Sequence, residues 1–227
     1  MKKDKQISLL MWSFGMIFVA LGVAICSKAS LGVSMIAAPA FVISEALYPI
    51  WNGFSVGMTE YLIQGVLLII LCIFIKKVKV KYFLAFAVAV LYGYILNFFL
   101  WTLSEVSFNT IWLRYLMLII GDCFTAFGVA SFFRTNLPLQ VYELFVSETS
   151  AHFKFNINKT KWIFDISLLI ISLLLAFFLF DDTANFEWSK IGETSFHSIG
   201  LGTLITTLIN SPLIGFMGKQ IDRFLKA

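Results

Sequence analysis

Charged residues are scarce in this 227-residue chain: Lys, Arg, Asp and Glu make up 13% of it, against about 25% in an ordinary soluble domain. Hydrophobic residues account for 59% of the chain and aromatic residues for 17%. This composition excludes a soluble globular domain. Because a membrane-crossing helix takes about 20 apolar residues, the length allows roughly six to eight crossings joined by short connections.

Motifs for catalysis, metals and cofactors are also missing. The three cysteines, Cys26, Cys72 and Cys123, lie inside apolar runs and lack the spacing of a zinc site or a disulfide framework. No HExxH, GxSxG or P-loop pattern occurs, and the two histidines, His152 and His197, are far apart in the sequence. We therefore expect no enzymatic activity, no cofactor and no bound metal. The net charge of +4 does not indicate nucleic acid as a partner, because the basic residues lie at the ends of apolar runs.

Six long apolar runs predict an all-α polytopic membrane protein. The predicted spans are residues 7–27, 57–75, 82–103, 112–133, 162–180 and 196–217. Two further apolar segments, 33–48 and 139–152, are short for a crossing helix. We expect Ser34 to cap the first short helix, and Asn136 with Pro138 to begin the second.

The chain also contains an internal repeat. At an offset of 106 residues, the stretch Gly15–Leu31 aligns with Gly121–Leu137 and matches at seven of 17 positions. A weaker second block, reached after a five-residue gap, places Gln64 on Asp165. The alignment predicts two repeats, residues 1–107 and 108–227, each with one long span, one short segment and two long spans.

The basic residues predict how the two repeats are oriented. If both short segments enter and leave on the same side, 14 of the 17 basic residues are cytoplasmic, and Lys28, Arg114 and Lys190 are outside, with the acidic Asp181, Asp182, Glu187 and Glu193. If all eight segments cross, the basic loop 76–81 falls on the outside, against the positive-inside rule. Six crossings predict inverted repeats with both termini in the cytoplasm. The short helices are then re-entrant, as in many transporters, or they are interfacial or obliquely spanning.

Two segments resemble a known bacterial group. The stretch ALGVAICSKASLGVS, Ala20–Ser34, resembles the signature of the YczE/YyaS/YitT-type integral membrane proteins, and IGLGTLITTLINSPLIGF, Ile199–Phe216, resembles their final helix. Asp165 lies where that group often carries an acidic residue. The polar cluster that usually follows the Gly-Val-Ser of the group is replaced here by Met35, Ile36 and Ala37. The resemblance implies a location in the bacterial cytoplasmic membrane and a fold, but no particular substrate.

Polar residues within or beside the spans are the candidates for a substrate or ion pathway. Asp122 lies near mid-span, where a charge costs about 2.5–3.5 kcal/mol, so it is either a proton or cation site or a neutral, hydrogen-bonded carboxyl. Asp165 either serves the pathway or pairs with Lys161 one turn away. The full set of candidates is Asp122, Asp165, Gln64, Lys28, Arg134, Glu143 and Ser34.

The two basic candidates, and three polar residues outside the candidate set, are interpreted separately. Lys28 and Arg134 occupy equivalent repeat positions, where they either bind an anion near a helix N-terminus or extend to the membrane surface. We expect Glu60 to be solvated, and Asn97 and Asn210 to hydrogen-bond between helices.

Together the internal repeat, the predicted orientation and the polar residues in the spans predict a transporter or channel for a small solute. The competing hypothesis is a membrane accessory that does not transport and acts through a partner protein.

Overall fold

The computed structural model describes the backbone of residues 2–135, 137–180 and 192–226. The predicted helix start at Asn136 and the expected outer charges Asp181, Asp182, Glu187 and Lys190 lie outside the described residues. Within the described ranges the chain forms eight helices and no strand: α1 (Lys2–Ala29), α2 (Ala38–Leu47), α3 (Val56–Ile75), α4 (Val80–Thr102), α5 (Ile111–Phe132), α6 (Val141–Phe153), α7 (Ile157–Leu179) and α8 (Leu201–Lys226). The predicted all-α fold is confirmed.

Among the described residues, six helices are long and apolar enough to cross a membrane, as predicted. Their candidate spans are Gln6–Ala29, Val56–Ile75, Val80–Thr102, Ile111–Phe132, Lys159–Leu179 and Leu201–Phe224. The last span starts later than the sequence predicted. Phe196 and Ile199 pair as an isolated bridge, and His197 and Ser198 have φ values of 43° and 66°. This turn cannot continue into a helix, so α8 begins at Leu201.

The two short segments form helices that are shorter than predicted. The expectation that Ser34 caps the first was wrong, because the N-cap of α2 is Ala37 and it makes no side-chain cap hydrogen bond. A proline in the first turn, Pro39, has the fixed φ that suits a helix start. Pro138 precedes α6 rather than opening it, since the N-cap of α6 is Gln140.

The described helices divide into two compact units. The first unit contains α1, α5 and α8, and the second contains α2, α3, most of α4, α6 and α7. Each unit thus takes helices from both halves of the sequence. The division into repeats 1–107 and 108–227 stays a prediction.

In the first unit, α1 and α5 pack antiparallel through glycines. A methyl group added at Gly15 would lie 3.0 Å from the carbonyl oxygen of Gly128, and one added at Gly121 would lie 2.7 Å from that of Gly22. The ring of Phe18 lies beside that of Phe124, with centroids 5.4 Å apart. Small residues let helix backbones approach closely within a membrane, so these glycines determine how near α1 and α5 lie.

The two family-like segments contact each other within the same unit. The amide of Gly202 donates to the carbonyl of Leu31 at 2.7 Å, and the amide of Val33 donates to that of Ser198 at 2.9 Å. Gly32 has a φ of 108°, which favours glycine. Arg114 donates to the carbonyls of Ala29 and Ser30 at the end of α1, at 2.6 and 2.7 Å. Residues 29–34, at the end of the signature stretch, therefore link the end of α1 to Arg114 of α5 and to the backbone at the start of α8.

In the second unit, a hydrophobic core lies among α3, α4, α6 and α7. Its members are buried side chains from all four helices: Leu71, Tyr82, Ala89, Val141, Phe145, Phe164 and Leu168, among others. Thr59 links α3 to α2 by donating to the carbonyl of Ala40 at 2.9 Å. Asn97 of α4 accepts from the amide of Gly57 at 2.8 Å and donates to Ser55 at 2.8 Å. The predicted interhelix role of Asn97 is confirmed.

A candidate polar site in the second unit

Glu60 is a buried carboxyl in the second turn of α3. It is only 1% exposed, and the hydroxyl of Tyr142 on α6 donates to its Oε2 at 2.7 Å. The expectation that Glu60 is solvated was therefore wrong, because α6 packs over the face of α3 that carries it. A buried carboxyl within a candidate span is costly unless polar partners surround it.

Gln64 lies one turn further along α3 and meets the start of α6. Its Oε1 accepts from the amide of Val141 at 3.2 Å, which satisfies a free N–H in the first turn of α6. Its side chain also interacts with the carboxyl of Glu60, one turn earlier on α3. The N-terminus of α6, with its partial positive charge, thus faces the polar face of α3.

Glu143 adds a second carboxyl from the first turn of α6. Its Oε2 is buried without a hydrogen-bond partner in the described part of the chain. It interacts electrostatically with Glu60 and also with Lys161 and Asp165 of α7. Tyr92 of α4, which is 3% exposed, lies within the electrostatic range of both glutamates.

Asp165 contributes a third carboxyl and forms the predicted ion pair on α7. Lys161 donates to its two carboxylate oxygens at 3.1 and 3.0 Å. We call the set Glu60, Gln64, Tyr142, Glu143, Lys161 and Asp165 the acid cluster. It contains three carboxyls and one ammonium group. A bound proton or cation would offset the excess negative charge at membrane depth.

The donors of the acid cluster do not form a recognisable metal centre. Within the described ranges, no group of three His, Cys, Asp or Glu side chains converges closely enough to hold a metal ion. The cluster instead combines three carboxyls with one amide, one phenol and one ammonium group. Carboxyls exchange protons, and all of these groups can hydrogen-bond to polar solutes.

Asp122 forms a separate polar contact in the first unit. It is 4% exposed, and its Oδ1 accepts from Asn210 of α8 at 2.7 Å. Its Oδ2 is buried and has no partner among the described atoms. The predicted interhelix hydrogen bond of Asn210 is confirmed, and its partner is Asp122. Pro212, two residues further along α8, removes one helix hydrogen bond beside this contact.

The two predicted anion-binding residues both have protein partners. Arg134 forms a bidentate ion pair with Asp222 at 2.6 and 2.7 Å and also donates to the carbonyl of Ala130. Lys28 donates to the carbonyl of Ser104 at 3.1 Å. These contacts favour a structural role for both residues, and their binding of an anion stays a prediction.

The structure places the seven candidate residues predicted from the sequence in two different units. Gln64, Glu143 and Asp165 come together around the start of α6, whereas Asp122, Lys28, Arg134 and Ser34 belong to the first unit. Sequence reasoning missed Glu60 and its partner Tyr142. One signal was available: the repeat register that places Gln64 on Asp165 also places Glu60 on Lys161. Both pairs are spaced four residues apart, on one face of a helix.

Glu148, in the second half of α6 and outside the candidate spans, forms a charged contact with the start of α4. Glu148 accepts from Lys79 at 2.5 Å, from Lys81, and from Tyr82 at 2.8 Å. Burial by itself would raise the pKa of Glu148, but these hydrogen bonds outweigh that effect and lower it to about 2. The carboxylate thus links α6 to Lys79 in the connection between α3 and α4 and to the first turn of α4.

The chain belongs to a family of unknown function, DUF6198, whose pattern matches residues 6–219. The match covers all six candidate spans except the end of the last. No curated protein and no solved structure matches the chain. The resemblance to the YczE/YyaS/YitT group stays a prediction.

Proposed function

We propose that this protein is a transporter or channel for a small solute in the bacterial cytoplasmic membrane, and that the acid cluster is its ion-binding site. The observation that carries the proposal is the buried Glu60, held by Tyr142 at 2.7 Å beside a second carboxyl, Glu143. Placing an ionisable group within a membrane costs free energy, and such groups typically serve an ion or proton pathway. The proposal includes no enzymatic chemistry, because the sequence carries no catalytic motif.

Unused hydrogen-bonding capacity in the acid cluster supports a ligand there. Glu143 Oε2 is buried without a hydrogen-bond partner among the described residues. A buried polar atom left unpaired costs about 1–3 kcal/mol. A bound proton or polar solute would recover that free energy.

Reciprocal contacts in each unit support the inverted repeat on which this proposal draws. By the repeat register Gly15 corresponds to Gly121 and Gly22 to Gly128, and the observed contacts are Gly15 with Gly128 and Gly22 with Gly121. Phe18 and Phe124 are equivalent positions and touch each other.

The second unit repeats this reciprocity at the level of whole helices. In it α3 packs on α6 and α7 packs on α2. The repeat register relates α3 to α7 and α2 to α6. Exchanging the two halves therefore converts the contact of α3 with α6 into the contact of α7 with α2. A two-fold axis produces this reciprocity, and inverted repeats are typical of secondary transporters.

A flux measurement tests the proposal. The purified chain is reconstituted into liposomes that contain a pH-sensitive dye, and a potassium gradient with valinomycin imposes a membrane potential. We expect a proton flux above that of protein-free liposomes, and we expect Glu60→Gln to reduce it several-fold. Gln can still accept the hydrogen bond of Tyr142, so this variant removes the ionisable group and keeps the contact.

The control is Glu105→Gln, which changes an exposed glutamate in the connection between α4 and α5. It should keep the flux of the unmodified chain. Equal flux from the Glu60 and Glu105 variants would contradict the assignment of the site. No flux from the unmodified chain would favour the competing hypothesis, a membrane accessory that acts through a partner protein.

A further inference from the structure

A lateral groove in the first unit is separate from every residue of the acid cluster. It has a volume of about 860 Å³ and lies among α1, α5 and α8. Most of its wall is apolar, formed by side chains that include Leu10, Phe14, Phe18, Phe127, Ile221 and Phe224. Volumes of 300–1,000 Å³ are typical of small-molecule sites.

The groove has the depth of one membrane leaflet. On α1 its lining begins at Ile7, one residue into the candidate span, and ends at Phe18. At 1.5 Å per residue these eleven steps measure about 17 Å, close to half of a hydrocarbon core of about 30 Å. Lipid hydrocarbon surrounds an apolar surface at this depth, so one acyl chain about 17 Å long fits along the groove.

Polar groups lie at one end of this groove. Gln220 and Arg223, both exposed, line it from the last turns of α8, where the candidate span ends at Phe224. This is the depth at which phospholipid headgroups begin. A guanidinium binds phosphate oxygens in a planar, bidentate manner, so the charge at the mouth of the groove complements an anionic headgroup.

We propose that the groove binds one anionic phospholipid, with an acyl chain along α1 and α8 and the phosphate at Arg223. The lipid fills the space between the two helices and completes the surface of the first unit. Because none of its lining residues belongs to the acid cluster, this site is independent of the proposed ion pathway.

Native mass spectrometry of the full chain tests the lipid site. The protein is purified in detergent and equilibrated with equal amounts of phosphatidylglycerol and phosphatidylcholine of the same chain length. We expect one phosphatidylglycerol to be retained in preference, and Arg223→Gln to reduce its retention several-fold. Leu10→Trp narrows the apolar part of the groove and should reduce the retention of both lipids.

The matched control is Lys219→Gln, which removes an exposed charge one turn earlier on α8, outside the groove lining. It should retain phosphatidylglycerol like the unmodified chain. Equal losses in the Lys219 and Arg223 variants, or equal retention of the two lipids, would overturn the proposal. A groove covered by a second copy of the chain, seen as a dimer that retains no lipid, would also overturn it.

Discussion

Tyr142 and Glu60 are joined by a hydrogen bond of 2.7 Å, in which the phenol donates to Oε2 of the carboxyl. The two residues lie 82 positions apart and are 3% and 1% exposed. This contact joins the first turn of α6 to the second turn of α3. It brings the start of a short helix of 13 residues against a candidate spanning helix that carries a buried carboxyl.

The first prediction concerns this hydrogen bond. Tyr142→Phe removes the donor and leaves Glu60 Oε2 buried with one partner fewer, which costs about 1–3 kcal/mol. We expect a lower melting temperature in detergent and a reduced proton flux in liposomes. Tyr94→Phe, at a position that is 66% exposed on α4, is the matched control. Equal behaviour of the two variants would mean that the contact is unimportant.

The second prediction concerns the glycines between α1 and α5. A Cβ added at Gly121 would lie 2.7 Å from both the carbonyl oxygen of Gly22 and the Sγ of Cys26. Gly121→Ala must therefore push the helices apart, and we expect a loss of about 1–3 kcal/mol in the free energy of unfolding.

Gly215→Ala on α8 provides the control for the glycine prediction. A Cβ at Gly215 meets nothing within 4 Å, and alanine favours a helix over glycine by about 1 kcal/mol. Thermal unfolding should show a lower Tm for the Gly121 variant and an unchanged or higher Tm for the Gly215 variant. The same Tm change in both would contradict the packing account.

The third prediction is a pH dependence at Glu148. The pKa of its carboxyl is lowered from 4.5 to about 2 in the folded chain, so its contribution to stability is present above about pH 5. The contribution disappears as the pH falls from 5 towards 2, where the folded state takes up the proton. Because Lys79 and Lys81 are 42% and 49% exposed, we expect only about 1 kcal/mol after solvent screening.

Thermal unfolding of Glu148→Gln checks this pH dependence. At pH 7 the variant should melt roughly 2–4 °C below the unmodified chain, the shift that about 1 kcal/mol gives for a chain of this size. The difference should shrink between pH 5 and pH 2. A difference that stays constant over this range would show that the carboxylate charge is not the cause.

The fourth prediction concerns the orientation in the membrane. With inverted repeats, the basic connection between α3 and α4 lies in the cytoplasm and the connection between α4 and α5 lies outside. In a chain without its native cysteines, Lys77→Cys should resist an impermeant thiol reagent applied to intact cells, whereas Glu105→Cys should react. The reverse pattern would overturn the predicted orientation.

The sequence predicted the number and class of the spanning helices because their signal is local. Twenty apolar residues in succession indicate a span whatever they pack against. The start of α8 was placed too early because hydropathy does not detect the positive-φ turn at His197 and Ser198.

The candidate site was only partly predictable for a related reason. Gln64, Glu143 and Asp165 were selected as polar residues within apolar surroundings, and the structure brings them together. Glu60 was missed because its position near the end of a span is compatible with solvation. Only the packing of α6, whose Tyr142 is distant in the sequence, makes it a buried residue.

The central claim is that the acid cluster is an ion-binding site reached by water. Its most direct test is the rate at which a small, water-soluble methanethiosulfonate reagent modifies Gln64→Cys in a chain whose native cysteines are replaced by alanine. Leu71→Cys, equally buried on the same helix at 0% exposure but within the apolar core, is the reference. The account predicts that the position of Gln64 reacts much faster than that of Leu71, and equally slow reaction at both would contradict it.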